Sequence, residues 1–180
     1  MQFLTLVRHT SVNLPTGICY GITDVGLSGA FEMEARQTMA WLNRVDIVIS
    51  SPAMRCATLA QRLAIKYSCQ HKVMPGLREM DFGQWEGSRW DDIPRTSLDA
   101  WSRDMLNFEP PGGESALALV ERVENCLHDI LEMPEQHIAV VTHGGPIRAI
   151  LSILAEVSLQ QLMAWQIDPG AVVQVKIGGA

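Results

Sequence analysis

The sequence is poor in lysine and has no surplus of positive charge. It contains 3 Lys beside 11 Arg, and its 20 acidic side chains against 14 basic ones give a net charge of −6. A protein that binds a nucleic-acid backbone normally carries a basic surface that replaces condensed counterions. The composition therefore argues against a nucleic-acid partner and, at first sight, against any anionic substrate.

Long hydrophobic runs and cysteine pairs are also missing. The longest apolar stretch, 147–157, contains Arg148 and Glu156 and falls short of the ~20 residues that span a bilayer. The first apolar run, 3–7, has no basic residue before it, so we expect no signal peptide. The four cysteines form no C-x-x-C pair and no metal-ligand cluster, which is typical of free thiols in a reducing compartment. We expect a soluble cytoplasmic protein without a membrane partner or a bound metal.

The chain is long enough for one hydrophobic core, and its pattern predicts alternating strands and helices. With 180 residues, 47% of them hydrophobic, we expect a single domain over 1–180. Short apolar runs predict strands at 2–7, 46–49, 71–74, 138–141 and 171–177, and helical spacing or capping signals predict helices at 28–43, 51–67, 114–133 and 147–155. The segment 75–113 loses this periodicity and concentrates tryptophan and proline, so we expect an excursion that partly covers the active site. The predicted fold is α/β, with a mostly parallel central sheet flanked by helices in three layers.

Polar side chains follow three of the predicted strands. Arg8 and His9 end the first strand, Arg55 lies one helical turn beyond the second, and His143 ends the fourth. Ligands of such sheets bind beyond the carboxyl ends of the strands. Two guanidinium groups can hold a phosphoryl group, and a neutral imidazole beside it is a competent nucleophile. Helix N-termini after residues 51 and 143 would add positive potential. The set predicts phosphoryl transfer that requires neither a metal nor another cofactor.

A leaving alkoxide also needs a proton. The segment 77–83, which follows the third predicted strand, offers Glu79 and Asp81. Glu79 is the better candidate for a general acid in this rim of loops, although either carboxylate can reach the site.

Four sequence blocks carry a resemblance to a known family. LVRHT at 6–10, SSPAMRCATLA at 50–60, LREMDFGQWEG at 77–87 and VTHGG at 141–145 resemble the histidine phosphatase superfamily, which includes the cofactor-dependent phosphoglycerate mutases. Segments 19–28 and 110–123 are similar to its alpha-ribazole phosphatase branch, which removes phosphate late in cobalamin nucleotide-loop assembly. The resemblance implies a phosphoglycerate mutase-like fold and a metal-independent phosphomonoesterase.

The resemblance also implies roles for single residues. His9 would become the phosphohistidine and Glu79 would be the proton donor. The expected substrate-binding positions are Arg8, Arg55, His143, the amide of Gly144, Asn13 and Gly21. The sequence departs from the commonest family pattern at Thr10, where glycine usually follows the histidine, and at Pro15, where asparagine is often found.

Other functions remain open at this point. A different phosphatase or a mutase of the same superfamily would act on sugar phosphates, phosphoglycerate or phosphohistidine, and mutases typically carry inserted segments for which 180 residues leave little room. A catalytically silent phosphate-binding module would lack a nucleophile or an acid, whereas His9 and Glu79 are both present. The expected partner is a small phosphorylated metabolite, and a homodimer is compatible with the sequence.

Overall fold

A five-stranded sheet forms the centre of the structure, a computed structural model that describes residues 1–178. Its strands are β1 Gln2–Arg8, β2 Ile47–Ser50, β3 Gln70–Val73, β4 His137–Thr142 and β5 Val172–Ile177. They lie in the order β3-β2-β4-β1-β5. The first four strands are parallel and β5 pairs with β1 in the antiparallel direction. The predicted mostly parallel sheet is confirmed.

Helices cover both faces of this sheet. They are α1 Phe31–Ala40, α2 Met54–Tyr67, α3 Arg95–Arg103, α4 Ala116–Leu131, α5 Gly144–Ala155 and α6 Leu159–Met163. Alternate residues of a strand point to opposite faces. In β1, Leu4 and Leu6 therefore pack with α4 and α5, while Val7 packs with α1 and α2. This produces the predicted three-layer α/β architecture, with one apolar core on each side of the sheet.

The four predicted helix starts differ from the structure, α4 by two residues and the other three by three residues each. α1 begins at Phe31 because the Oγ of Ser28 accepts the Ala30 amide and closes a turn before the helix (3.0 Å). Ser51 likewise accepts the Ala53 amide (3.3 Å), so α2 begins at Met54. Conversely, α5 already begins at Gly144, three residues earlier than predicted.

The segment after β3 contains three short 3-10 helices, Pro75–Leu77, Gly83–Trp85 and Trp90–Asp92, followed by α3. Its aromatic side chains pack mainly on one another, and Phe82 also packs against the core between the sheet and α4. Trp90 and Trp101 are stacked with ring centroids 5.7 Å apart, and Trp85 is stacked on Phe108 at the same distance. We call the group formed by Phe82, Trp85, Trp90, Trp101 and Phe108 the aromatic cluster. It forms a third apolar unit together with Cys19 and Ile93.

The sheet register places the predicted polar strand ends side by side. Arg8 of β1 pairs with Thr142 of β4, and Ser50 of β2 pairs with Val141 of β4. The residues that follow these three strands therefore leave the sheet at one edge. Within residues 1–178, no helix combines the length and the apolar character that crossing a bilayer requires.

Candidate active site

Two histidines meet where β1 and β4 end. The amide of His9 donates to the Thr142 carbonyl (3.0 Å), which continues the β1–β4 ladder by one residue. The rings of His9 and His143 lie edge to face with centroids 5.2 Å apart. Both residues are almost fully buried, at 2% and 1% exposure. The two imidazoles that the sequence placed at matching strand ends are thus neighbours.

The surroundings of His9 fix its protonation state and its tautomer. Burial lowers its pKa to about 3, and the Arg55 and Arg8 charges act in the same direction, whereas its hydrogen bond to Thr10 opposes them. Nδ1 of the ring lies 2.7 Å from the Thr10 carbonyl. Because a carbonyl can only accept, Nδ1 carries the proton. Nε2 therefore keeps its lone pair at neutral pH, as a nucleophile requires.

His143 has a different set of contacts. A hydrogen bond joins its Nε2 to the Oγ of Ser51 (2.8 Å), and the Sγ of Cys56 lies 3.4 Å from the same nitrogen. Burial lowers its pKa well below the usual value for histidine, and the Arg55 charge adds to this. His143 is therefore a neutral hydrogen-bonding group beside His9.

Arg55 enters the site from α2 and is completely buried. Its guanidinium donates to the carbonyls of Gly21 (2.5 Å) and Thr23 (2.9 Å) and lies over the ring of Tyr20. Gly21 must approach closely for this contact, since a Cβ on it would lie only 1.8 Å from the Met80 carbonyl oxygen. The packing of the backbone thus requires a glycine at position 21, and its expected role in binding substrate stays a prediction.

Arg8 is partly buried and donates from Nη1 to the Ile167 carbonyl. The buried Nε of Arg8 and that of Arg55 have no hydrogen-bond partner among residues 1–178. None of the ion pairs in this part of the chain includes either arginine. Two guanidinium charges thus adjoin the histidine pair without a carboxylate partner, an arrangement that favours an anionic ligand.

The N-terminus of α5 brings Glu79 to the same place. His143 is the N-cap of this helix and Gly144 is its first residue. The next amide, that of Gly145, donates to both carboxylate oxygens of Glu79 (3.2 and 3.3 Å). Gly144 is buried at the positive end of the helix, where its amide can serve an anion.

Asp81 and Asn13 are placed differently. One carboxylate oxygen of Asp81 accepts the Gly83 amide (2.8 Å), and the residue lines neither of the cavities described below. Asn13 is exposed and its amide donates to Gly26. Its side chain makes no hydrogen bond within residues 1–178, and its expected contact with substrate stays a prediction.

The helix N-terminus that follows Ser51 has side-chain partners for two of its amides. The Met54 amide at the start of α2 donates to the carboxylate of Asp24 (3.0 Å), and Ser51 accepts the amide before it. Side chains of the protein therefore satisfy these two donors, although Ala53 at this end of α2 lines the same cavity as His143.

Two cavities meet at Glu79. The first, which we call the histidine cavity, has a volume of about 180 Å³ and is lined by Gly21, Ile22, Asp24, Pro52, Ala53, Arg78, Glu79 and His143. The second, the apolar cavity, has a volume of about 140 Å³. Apart from Glu79, Gly145, Arg148 and Gln160, its lining is apolar and consists of Met80, Phe82, Trp101, Met105, Leu106, Ala116, Leu119, Leu159 and Met163. Residues from the segment 75–113 thus cover one side of the site.

Several residues that organise this site were not predicted. Ser51 contacts His143, and Glu86 accepts the amides of Ile22 (2.9 Å) and Thr23 (2.8 Å), which fixes the loop that binds Arg55. Partial burial acts to raise the pKa of Glu86, but its hydrogen bonds together outweigh burial and lower the pKa below the usual value. The position of Ser51 at a strand end was a usable signal, whereas Glu86 lies in an aperiodic segment that gives none.

The sheet edge, the buried histidine pair and two arginines that have no carboxylate partner within residues 1–178 are typical of an α/β enzyme that binds phosphate. A family model for the histidine phosphatase superfamily (branch 1) matches residues 4–180. The chain belongs to this superfamily, and it is a phosphoric monoester hydrolase.

Named relatives differ in the substrates that their names state. The chain is 27% identical over 175 residues to phosphoserine phosphatase 1 of Hydrogenobacter thermophilus, which covers 93% of this chain and 83% of the relative. It is 26% identical to the adenosylcobalamin/alpha-ribazole phosphatase of Escherichia coli, covering 93% and 86%. The crystal structure of the alpha-ribazole phosphatase from Shigella flexneri superposes with a TM-score of 0.89 at 23% identity, covering 98% of this chain and 91% of that one. This last similarity supports the phosphoglycerate mutase-like fold.

Proposed function

We propose that the protein hydrolyses a small phosphomonoester through a phosphohistidine at His9. Nε2 of His9 attacks phosphorus as the bond to the leaving oxygen breaks, and Glu79 gives that oxygen its proton. Water then attacks the phosphohistidine and gives a proton to Glu79, which releases phosphate and restores both side chains. Arg8, Arg55, His143 and the Gly144 amide hold the phosphoryl oxygens during both steps.

One observation carries this proposal. Two guanidinium groups that have no carboxylate partner within residues 1–178 adjoin a histidine whose only ring proton is on Nδ1. The positive charge favours a phosphate dianion, while the lone pair on Nε2 is free to attack it. A protein that only binds phosphate would need the positive charge of the arginines but would not need the His9 tautomer that leaves Nε2 unprotonated.

The geometry favours Glu79 over Asp81 as the acid. Glu79 lines both cavities, so its carboxyl lies at the boundary between the histidine pair and the space left for a leaving group. Asp81 instead accepts a hydrogen bond from the backbone of its own loop. A general acid must reach the leaving oxygen directly or through one water molecule.

For the substrate we propose alpha-ribazole 5′-phosphate, in cobalamin nucleotide-loop assembly in the cytoplasm. The apolar cavity supports this choice because Phe82, Trp101 and Met80 present apolar surface next to Glu79. One face of Trp101 is stacked on Trp90, which holds the indole in place. Arg148, the basic side chain in this lining, already donates to the carbonyls of Leu162 and Trp165. A flat aromatic base therefore fits such walls better than serine or glycerate, which carry charged groups that need partners.

Phosphoryl labelling tests the nucleophile. Brief exposure to labelled substrate followed by quenching should leave an acid-labile phosphoryl group on the wild-type protein and none on His9→Ala. Retention of label by His9→Ala would refute the assignment.

A substrate panel tests the leaving-group site. We expect kcat/KM to rank alpha-ribazole 5′-phosphate above phosphoserine and 3-phosphoglycerate. Trp101→Ala should raise KM for the aromatic substrate by roughly three- to ten-fold and leave KM for phosphoserine unchanged. Trp41→Ala, at a residue 73% exposed outside both cavity linings, is the matched control. A higher kcat/KM for phosphoserine would contradict the proposed substrate.

A further inference from the structure

An ion pair at the start of α4 contacts the loop that carries Glu79. Arg122 and Glu114 form this pair, and their side chains are only 22% and 21% exposed. Nε and Nη2 of Arg122 bind the two carboxylate oxygens of Glu114. Such a two-pronged contact fixes the plane of the guanidinium group.

The remaining donors of Arg122 are used on the loop. Nη1 donates to the carbonyls of Gly76 (2.6 Å) and Arg78 (2.7 Å), and Nη2 donates to the carbonyl of Glu79 itself (2.9 Å). One side chain therefore holds three carbonyls within four residues of chain. A carbonyl that is held in this way fixes the backbone from which the Glu79 side chain extends.

Glu114 holds the other end of the same loop. Its Oε1 accepts the Asp81 amide (3.0 Å), and its own amide donates to the Asp81 carbonyl (2.9 Å). Both backbone groups of Asp81 are therefore bonded to Glu114, two residues before α4 begins. On the opposite side, the carboxylate of Glu79 is held by the Gly145 amide of α5. The loop is thus fixed from two helices, with the Glu79 carboxyl between them.

We propose that Arg122 and Glu114 are positioning residues that set the Glu79 carboxyl at the distance from the leaving oxygen that proton transfer requires. This inference rests on the proposed role of Glu79 as the acid. Neither residue lines either cavity, so the pair acts through the loop and not on substrate. A displacement of about 1 Å at a catalytic group can cost roughly a hundred-fold in rate.

Leaving-group dependence measures this role. p-Nitrophenolate leaves without help from an acid, whereas an alkoxide does not. Arg122→Met should lower kcat for an alkyl phosphate by roughly ten- to hundred-fold, with KM and the rate on p-nitrophenyl phosphate nearly unchanged. Arg122→Lys should behave similarly, since one ammonium group cannot bind three carbonyls and a carboxylate. Arg62→Met, which breaks the exposed pair with Glu32, is the matched control and should change neither rate.

A double-mutant cycle separates positioning from general destabilisation. If Arg122 acts through Glu79, adding Arg122→Met to a Glu79→Gln variant should lower kcat for the alkyl phosphate by less than about two-fold. An equal loss in both backgrounds would overturn the positioning role while leaving the acid intact. An equal loss on both substrates from Glu79→Gln alone would overturn the acid role and this inference with it. If Arg122→Met does not fold, Glu114→Gln retains the shape of the pair and tests the same prediction.

Discussion

Acidification should destabilise the protein because His9 stays neutral when folded. Its pKa in the folded chain is about 3, whereas an unfolded chain protonates histidine near 6.5. Above pH 6.5 both states are neutral and His9 has no effect on the pH dependence of stability. Between pH 6.5 and 3 only the unfolded state binds this proton, so the free energy of unfolding falls as pH falls.

The size of this effect follows from the difference in pKa. Each pH unit in this window lowers the free energy of unfolding by ~1.4 kcal/mol, so His9 alone accounts for a loss of ~2 kcal/mol at pH 5. His143 contributes in the same direction because its pKa is lowered as well. The wild-type slope should therefore exceed the value for one histidine.

Urea unfolding at pH 7, 6 and 5, followed by circular dichroism, measures this slope. Replacing His9 with Asn should reduce the slope by the contribution of one histidine. Val7→Ala, which removes buried methyl groups from the same strand, should lower stability equally at every pH. Parallel pH profiles for the wild type and His9→Asn would refute the reasoning, since they would mean that His9 takes up its proton in the folded state.

Three substitutions test the close contacts of the site. Gly21→Ala places a Cβ 1.8 Å from a backbone carbonyl oxygen and should lower the free energy of unfolding by about 1–3 kcal/mol. The control is Gly26→Ala, whose Cβ has no atom within 4 Å, and equal urea midpoints for the two variants would contradict the close contact at Gly21. Gly145→Ala places its Cβ 2.2 Å from a carboxylate oxygen of Glu79. In steady-state assays it should slow hydrolysis of an alkyl phosphate more than hydrolysis of p-nitrophenyl phosphate, and an equal effect on both substrates would contradict the role of Glu79 as the acid. Arg55→Lys should lower kcat/KM by roughly a hundred-fold because an ammonium cannot hold two loop carbonyls and a phosphate together, and near wild-type kinetics would show that this arginine is not needed.

The sequence predicted which edge of the sheet carries the candidate site because the relevant residues directly follow buried strands. Parallel strands read as short apolar runs, so the polar residues after them, such as His9 and His143, are conspicuous. The parallel register of β1 and β4 then places the residues that follow these two strands side by side. The assignment of each role, including the phosphohistidine, stays a prediction until labelling is done.

Other parts of the site could not be predicted from local patterns. Gly144 and Gly145 have low helix propensity, so the first turn of α5 resembled a loop, although its packing on the sheet makes it helical. α6 is only five residues long, too short to show helical periodicity. The contacts that fix Glu79 involve Arg122, which lies 43 residues further along the chain, and only the tertiary structure brings the two together.

The aromatic cluster gives the protein a built-in optical probe. The protein has five tryptophans, and three of them, Trp85, Trp90 and Trp101, lie in this cluster. The strands of the sheet contain no tryptophan. Intrinsic fluorescence will therefore report mainly on the segment over the apolar cavity, while far-ultraviolet circular dichroism reports on the helices and the sheet. A fluorescence transition at lower urea than the circular dichroism transition would show that this segment unfolds as a separate unit. Ligand binding in the apolar cavity would be visible in the same signal without an added dye.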